Sequence, residues 1–161
     1  DRRDDVLKTY INEFPKNIDF YKLLCSCCKM CLAYDSLAYV LSKTPLNFKT
    51  DICFLRYYGR LAIRAALYPD AIIIFEYIIR QKDCKDLDYL LLAESYLGNK
   101  DIRFFHRTLR NGRSMFKDCM EFAYRCALYD YGTKEYEGAE YYLNKIDKTK
   151  IKNEWLKSKV D

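Results

Sequence analysis

Residues 55–78, LRYYGRLAIRAALYPDAIIIFEYI, share a side-chain pattern with three other parts of the chain, displaced by 34 positions or a multiple of it. Leu55, Gly59, Ala62, Tyr68, Ala71 and Phe75 become Tyr89, Ala93, Tyr96, Ile102, Phe105 and Leu109. A second step gives Ala123, Ala127, Asp130, Tyr136, Ala139 and Leu143, and a backward step gives Tyr21, Cys25, Cys28, Tyr34, Leu37 and Leu41. One column is small throughout: Cys25, Gly59, Ala93 and Ala127. Nine residues later a column is large and apolar (Tyr34, Tyr68, Ile102, Tyr136), and seven further on another is large as well (Leu41, Phe75, Leu109, Leu143). Only Asp130 breaks the set. A fixed period of this length marks a stacked-repeat architecture, in which each unit buries its apolar face only against its neighbours.

Composition narrows the class further. A chain of 161 residues, half of them apolar, can bury a substantial core. Five glycines and three prolines are too few for a strand-rich sandwich with its regular turns, so the repeats read as helical. No apolar run approaches the roughly 18 residues of a membrane span, and residues 1–15 carry no signal-peptide pattern. The chain therefore reads as intracellular, nuclear or cytoplasmic, with no membrane partner. Its net charge of +5 comes from 28 Lys+Arg against 23 Asp+Glu, mixed along the sequence. A nucleic-acid binder usually gathers its basic residues on one face, so this mixed charge is weak evidence for a polyanion partner and no evidence against one; the apolar end of the groove described below is what disfavours nucleic acid.

A 34-residue period with a small residue in a first helix and a second helix nine residues later resembles the tetratricopeptide repeat. The resemblance covers residues 18–153, with repeats at 18–51, 52–85, 86–119 and 120–153. It implies an all-α fold, a right-handed superhelix of antiparallel helix pairs. Tyr21, Leu55, Tyr89 and Ala123 stand where that family carries tryptophan, and Phe105 where alanine is usual, which implies an altered helix contact in the third repeat. Pro15 would close a preceding unit, leaving residues 2–14 as a lone N-terminal helix, and residues 149–159 (TKIKNEWLKSK) read as a polar capping helix. The whole, residues 1–161, is expected to be a single domain and a portion of a longer protein. Pro69 suits the first turn of a second helix, and Asp35, Asp101 and Thr133 lie near the other starts. Gly98 in YLGNKD marks a turn, and Gly112 is expected to end the second helix of repeat three.

The densest chemistry is CSCCKMC, residues 25–31. A zinc site needs four ligands converging tetrahedrally, commonly from separate elements, and one helix cannot wrap four thiolates around an ion. The only histidine, His106, lies two repeats away. Free cysteine behaves as a small hydrophobe, so Cys25 in the small-residue column, with Cys28 and Cys126 in packing columns, reads as core. Cys27 and Cys31 share an adjacent stripe. No cofactor, metal site or catalytic group is expected. There is no glycine-rich phosphate loop, and Glu135, Glu137 and Glu140 read as a solvated face.

Helical repeats of this kind bind partner segments in the groove lined by their first helices. Groove positions taken from the family are Lys22, Lys29, Arg56, Arg60 and Arg64 in the first two repeats, and Leu87, Leu90, Leu97, Tyr124, Leu128 and Tyr131 in the last two. One end is basic. The other is an apolar surface larger than soluble monomers usually leave open, which asks for a partner segment, a second copy or the C-terminal helix with Trp155. The carboxylate clamp of chaperone-tail adaptors is absent, since Ser26, Tyr57, Leu87 and Leu91 stand at its positions. The segments YPDAIIIFEYIIRQ, DLDYLLLAESYLGNKDIRFFHRTLR and EFAYRCALYDYGTKEYEGAEYYLNKID are similar to the N-terminal repeats of the scaffold subunits of the anaphase-promoting complex, a ubiquitin ligase of the cell cycle. That resemblance implies a non-enzymatic scaffold that homodimerises through its groove and contacts other subunits of a larger complex. A monomeric peptide-binding adaptor and an RNA-binding helical repeat are the alternatives.

Overall fold

The structure, a computed structural model, describes residues 2–13, 17–30, 36, 39–40, 43, 51–151 and 154–160. Among these the chain is all-helical: α1 (Arg2–Glu13), α2 (Ile18–Met30), α3 (Ile52–Arg64), α4 (Tyr68–Ile78), α5 (Asp86–Gly98), α6 (Ile102–Met115), α7 (Glu121–Gly132), α8 (Tyr136–Leu143) and α9 (Glu154–Val160). A 3-10 turn, Lys148–Lys150, precedes α9. Pro15, Cys31, Tyr34, Asp35, Leu37 and Leu41 lie outside the described residues, as do the side chains of Cys28, Lys29 and Trp155. No described helix is long and apolar enough to cross a membrane.

The helix starts follow the sequence period to within one residue. First helices begin at Ile18, Ile52, Asp86 and Glu121, and second helices at Tyr68, Ile102 and Tyr136. Their caps recur in step. The Asn17 side chain accepts from the Asp19 and Phe20 N–H groups (3.0 and 3.2 Å), and Asp51 from Phe54 N–H (2.7 Å). Such bonds satisfy donors that the first helical turn leaves without partners. At Lys85 the direction reverses: its own N–H donates to Asp88 Oδ2 at 2.9 Å. Asp88 occupies the column of Phe54 and Phe122 and is as buried as they are.

The turns inside the helix pairs also repeat. Ala66, Lys100 and Lys134 have φ of 58°, 65° and 67°. Each is followed by an N–H that reaches back five residues: Leu67 to Ala62 O, Asp101 to Tyr96 O and Glu135 to Asp130 O, all 2.8 Å. With the paired bonds Ala66 to Ile63 O, Lys100 to Leu97 O and Lys134 to Tyr131 O, this is the Schellman closure of a helix. Here the structure corrects the sequence reading. Gly98 is the last residue of α5, and the left-handed position falls on Lys100. Thr133 closes α7 rather than opening α8, its hydroxyl donating to the Tyr129 and Asp130 carbonyls. Gly112 does not stop α6, which continues to Met115; a Cβ at Gly112 would run into the Phe122 ring, so this glycine is a close-approach point. The C-terminal helix begins at Glu154, not at 149.

The chain divides into two compact units, Asp1–Ile74 and Phe75–Asp161. The first has its core in Ile11, Tyr21, Leu24, Cys25, Val40, Phe54 and Leu61, so α1 contributes to the same apolar cluster as α2 and α3. In the second, α5 packs on α6, α6 on α7 and α7 on α8. Phe105, Leu109, Phe122, Cys126 and Ala127 are buried there. Phe105, in the alanine column, is accommodated among the His106 and Tyr129 rings, both at 5.2 Å between centroids. Leu143, by contrast, is exposed by 49% although Phe75 and Leu109 of its column are buried, and Tyr136 is exposed by 59% where Tyr68 and Ile102 are half-buried.

Candidate protein-binding face

The small-residue column is buried in all four copies: Cys25, Gly59, Ala93 and Ala127. In the first unit, Ser26 and Tyr57 share a 2.5 Å hydrogen bond that ties α2 to α3. Beside it Tyr58 has its phenol pushed up to about 12, by burial first and then by Asp70 and Cys25. Of the basic residues placed on this face by sequence, Arg60 and Arg64 are exposed and Arg56 is half-buried. Lys22 pairs with Asp19 at 3.5 Å, within its own helix. The Lys29 side chain lies outside the described residues.

In the second unit the expected groove residues lie on α5 and α7. Arg125 links them: its guanidinium holds Glu121 at 2.9 Å within α7 and lies 3.9 Å from Glu94 of α5. One turn beyond this bridge on each helix stand Leu97 and Leu128, exposed by 39% and 57%, and then Tyr131, whose ring meets Tyr136 edge to face at 5.8 Å. Tyr124 is half-buried. On the other side of the bridge Leu87 is 41% exposed, whereas Leu90 is buried. Leu90 therefore lies below the face, not on it, because α5 is buried on more than one side: Tyr89, Leu90, Leu92 and Ala93 are all covered.

Leu87 and Leu90 open instead into a cleft of about 540 Å³, walled also by Met115, Phe116, Met120 and Leu156. Lys150 and Asp118 close its rim with a 3.0 Å ion pair. The expected set thus separates into two places, the cleft at Leu87 and the open stripe at Leu97, Leu128 and Tyr131. The bridge between them escaped sequence reasoning. Its signal was present: Glu94 occupies the groove position that recurs as Leu128, and Arg125 follows Glu121 at the i, i+4 spacing of a helical ion pair.

Cys126, Cys119 and His106 of this unit are buried or half-buried. Cys126 is 1% exposed, and its thiol is pushed up to about 11 by burial and then by Asp130. It is protonated at neutral pH and so a poor nucleophile. Cys119, in the cleft wall, is likewise raised to about 11 by burial and by Asp86. His106 lies 4.0 Å from Asp130, and burial lowers its pKa despite that carboxylate. Among the described residues no three His, Cys, Asp or Glu side chains converge as metal ligands would. No protein-family model, curated protein or solved structure matches this chain.

Proposed function

We propose that the protein is a non-enzymatic interaction scaffold of the tetratricopeptide type, which takes a helical segment of a second copy of itself along α5 and α7. The observation that carries this reading is an exposed apolar stripe, Leu97, Leu128 and Tyr131, on helices that recur with the 34-residue period. The recurrence of caps and left-handed turn residues supports the repeat class, and the resemblance to homodimeric scaffold subunits supports the choice of a second copy. Burying a stripe of this size removes apolar area from water at roughly 25 cal/mol per Å² before the cost of association.

Leu97→Glu with Leu128→Glu places two charges on the stripe without touching the core. Sedimentation should show the unmodified chain as a dimer and this variant as a 19.3 kDa monomer of unchanged helicity. Leu90 is unsuited to this test, since a charge there would be buried. A second reading, a monomeric adaptor, is favoured by the cleft at Leu87, whose volume suits a few apolar side chains of a peptide. An unmodified chain that sediments as a monomer at tens of micromolar would select it.

A further inference from the structure

Although the charges of the sequence are mixed, those of α6 are not. This helix carries Arg103, Arg107, Arg110 and Arg113 and no carboxylate, and the sequence holds no acid between Asp101 and Asp118. Arg113 is half-buried with its guanidinium over the Tyr142 ring at 5.9 Å. The other three are exposed, and none of them enters an ion pair among the described residues. At i, i+4 and i+7 they form one stripe along the outer face of α6, with successive rises of about 6 and 4.5 Å. Concentrated like charge on a helix costs stability through self-repulsion unless an opposite charge meets it.

We propose that this arginine stripe is a docking strip for an acidic helical segment of a partner protein. A partner helix with Glu or Asp at i, i+4 and i+7 repeats the same rises, so each carboxylate can face one guanidinium in the planar, forked geometry that arginine favours. Next to Arg103, Phe104 is 46% exposed, and its ring is stacked on Tyr96 at 5.2 Å, which gives the strip a rigid apolar edge. Tyr96 is in turn fixed by donating to Glu76 Oε1 at 2.6 Å. A carboxylate also borders the strip, Asp101 at the start of α6. A nucleic-acid backbone, charged at every step, would meet this acid, whereas a peptide can leave a neutral residue opposite it. This interface is separate from the apolar stripe of α5 and α7 and does not depend on it.

The test is fluorescence anisotropy with the full chain and a labelled alanine-rich peptide of about 20 residues carrying glutamates at i, i+4 and i+7, beside its glutamine counterpart. The glutamate peptide should bind at least about tenfold more tightly than the glutamine peptide, and more weakly as salt rises from about 0.05 to about 0.2 M. Arg103→Glu, Arg107→Glu and Arg110→Glu together should abolish binding while circular dichroism keeps its helical signature. Should that variant unfold, Arg→Gln at the same sites serves instead. Lys82→Glu, Lys157→Glu and Lys159→Glu, an equal change of charge at exposed sites elsewhere, should leave the affinity within about threefold. Equal loss in both variants, equal binding of the two peptides, or tighter binding of a single-stranded oligonucleotide of matching charge would overturn the proposal.

Discussion

Burial governs the side-chain chemistry around His106. Its ring lies edge to face with Tyr129 at 4.7 Å and touches Phe105, so charging it removes a solvated cation into an aromatic wall. That desolvation lowers its pKa; Arg110 adds to the effect, and Asp130 opposes it. A histidine whose native pKa lies below its unfolded value of about 6.5 binds fewer protons when folded, so stability rises with pH across the interval between the two values. Acidification should therefore begin to lower the thermal midpoint as the pH falls through the unfolded value of about 6.5, before most carboxylates titrate. His106 is the only histidine, so His106→Gln should flatten this part of the profile. An unchanged slope in that variant would show that the ring titrates alike in the folded and unfolded states, so that its burial does not disfavour the charged form.

At the scale of the helix, the three Schellman closures place alanine or lysine where glycine is usual. An L residue with left-handed φ costs roughly 1–2 kcal/mol relative to the right-handed region, and glycine removes that strain while adding chain entropy to the unfolded state. Lys134 is exposed, and its backbone makes the closing bond to Tyr131 O. Lys134→Gly should therefore stabilise the protein by up to about 1 kcal/mol, seen as a rise of a few degrees in the thermal midpoint. A fall in midpoint would mean that the lysine side chain makes a stabilising contact that outweighs its backbone strain. Gly132, two residues earlier, has open space where a Cβ would stand, so the strain belongs to Lys134 and not to crowding of the turn.

For the molecule as a whole, the two proposed contacts differ in physical kind. Association through Leu97, Leu128 and Tyr131 rests on removal of apolar area from water and responds weakly to ionic strength. Docking on Arg103, Arg107 and Arg110 rests on exposed charges, which are screened within about 10 Å at 0.1 M salt. Raising salt to about 0.5 M should thus release the acidic peptide while the sedimentation coefficient of the dimer stays constant. A dimer that dissociates with salt in step with peptide release would assign self-association to the arginine strip. The net charge of +5 alone would not distinguish these surfaces, because the basic excess of α6 is offset elsewhere in the chain.

The sequence by itself determined the all-helical class and the spacing of the helices. Both depend on local signals: the small column at Cys25, Gly59, Ala93 and Ala127, the scarcity of glycine and proline, and caps such as Asp51 that act within their own turn. The family resemblance put Leu97, Leu128 and Tyr131 among the groove positions, and all three side chains are exposed. Tertiary structure decided the rest. Leu90 shares the spacing of the exposed leucines yet is covered, because the depth of a residue depends on which helices pack around it. Gly112 lies inside α6, because Phe122 from α7 needs the space that a side chain would fill. Asp88 is tolerated in a phenylalanine column because its carboxylate is bonded back to the Lys85 N–H. The arginine strip depends on burial as well as sequence, since of the four arginines of α6 three are exposed without an ion pair among the described residues, while Arg113 is half-buried against the Tyr142 ring. A linear sequence records the composition of such a surface, while burial and contact between distant residues fix what remains open to a partner.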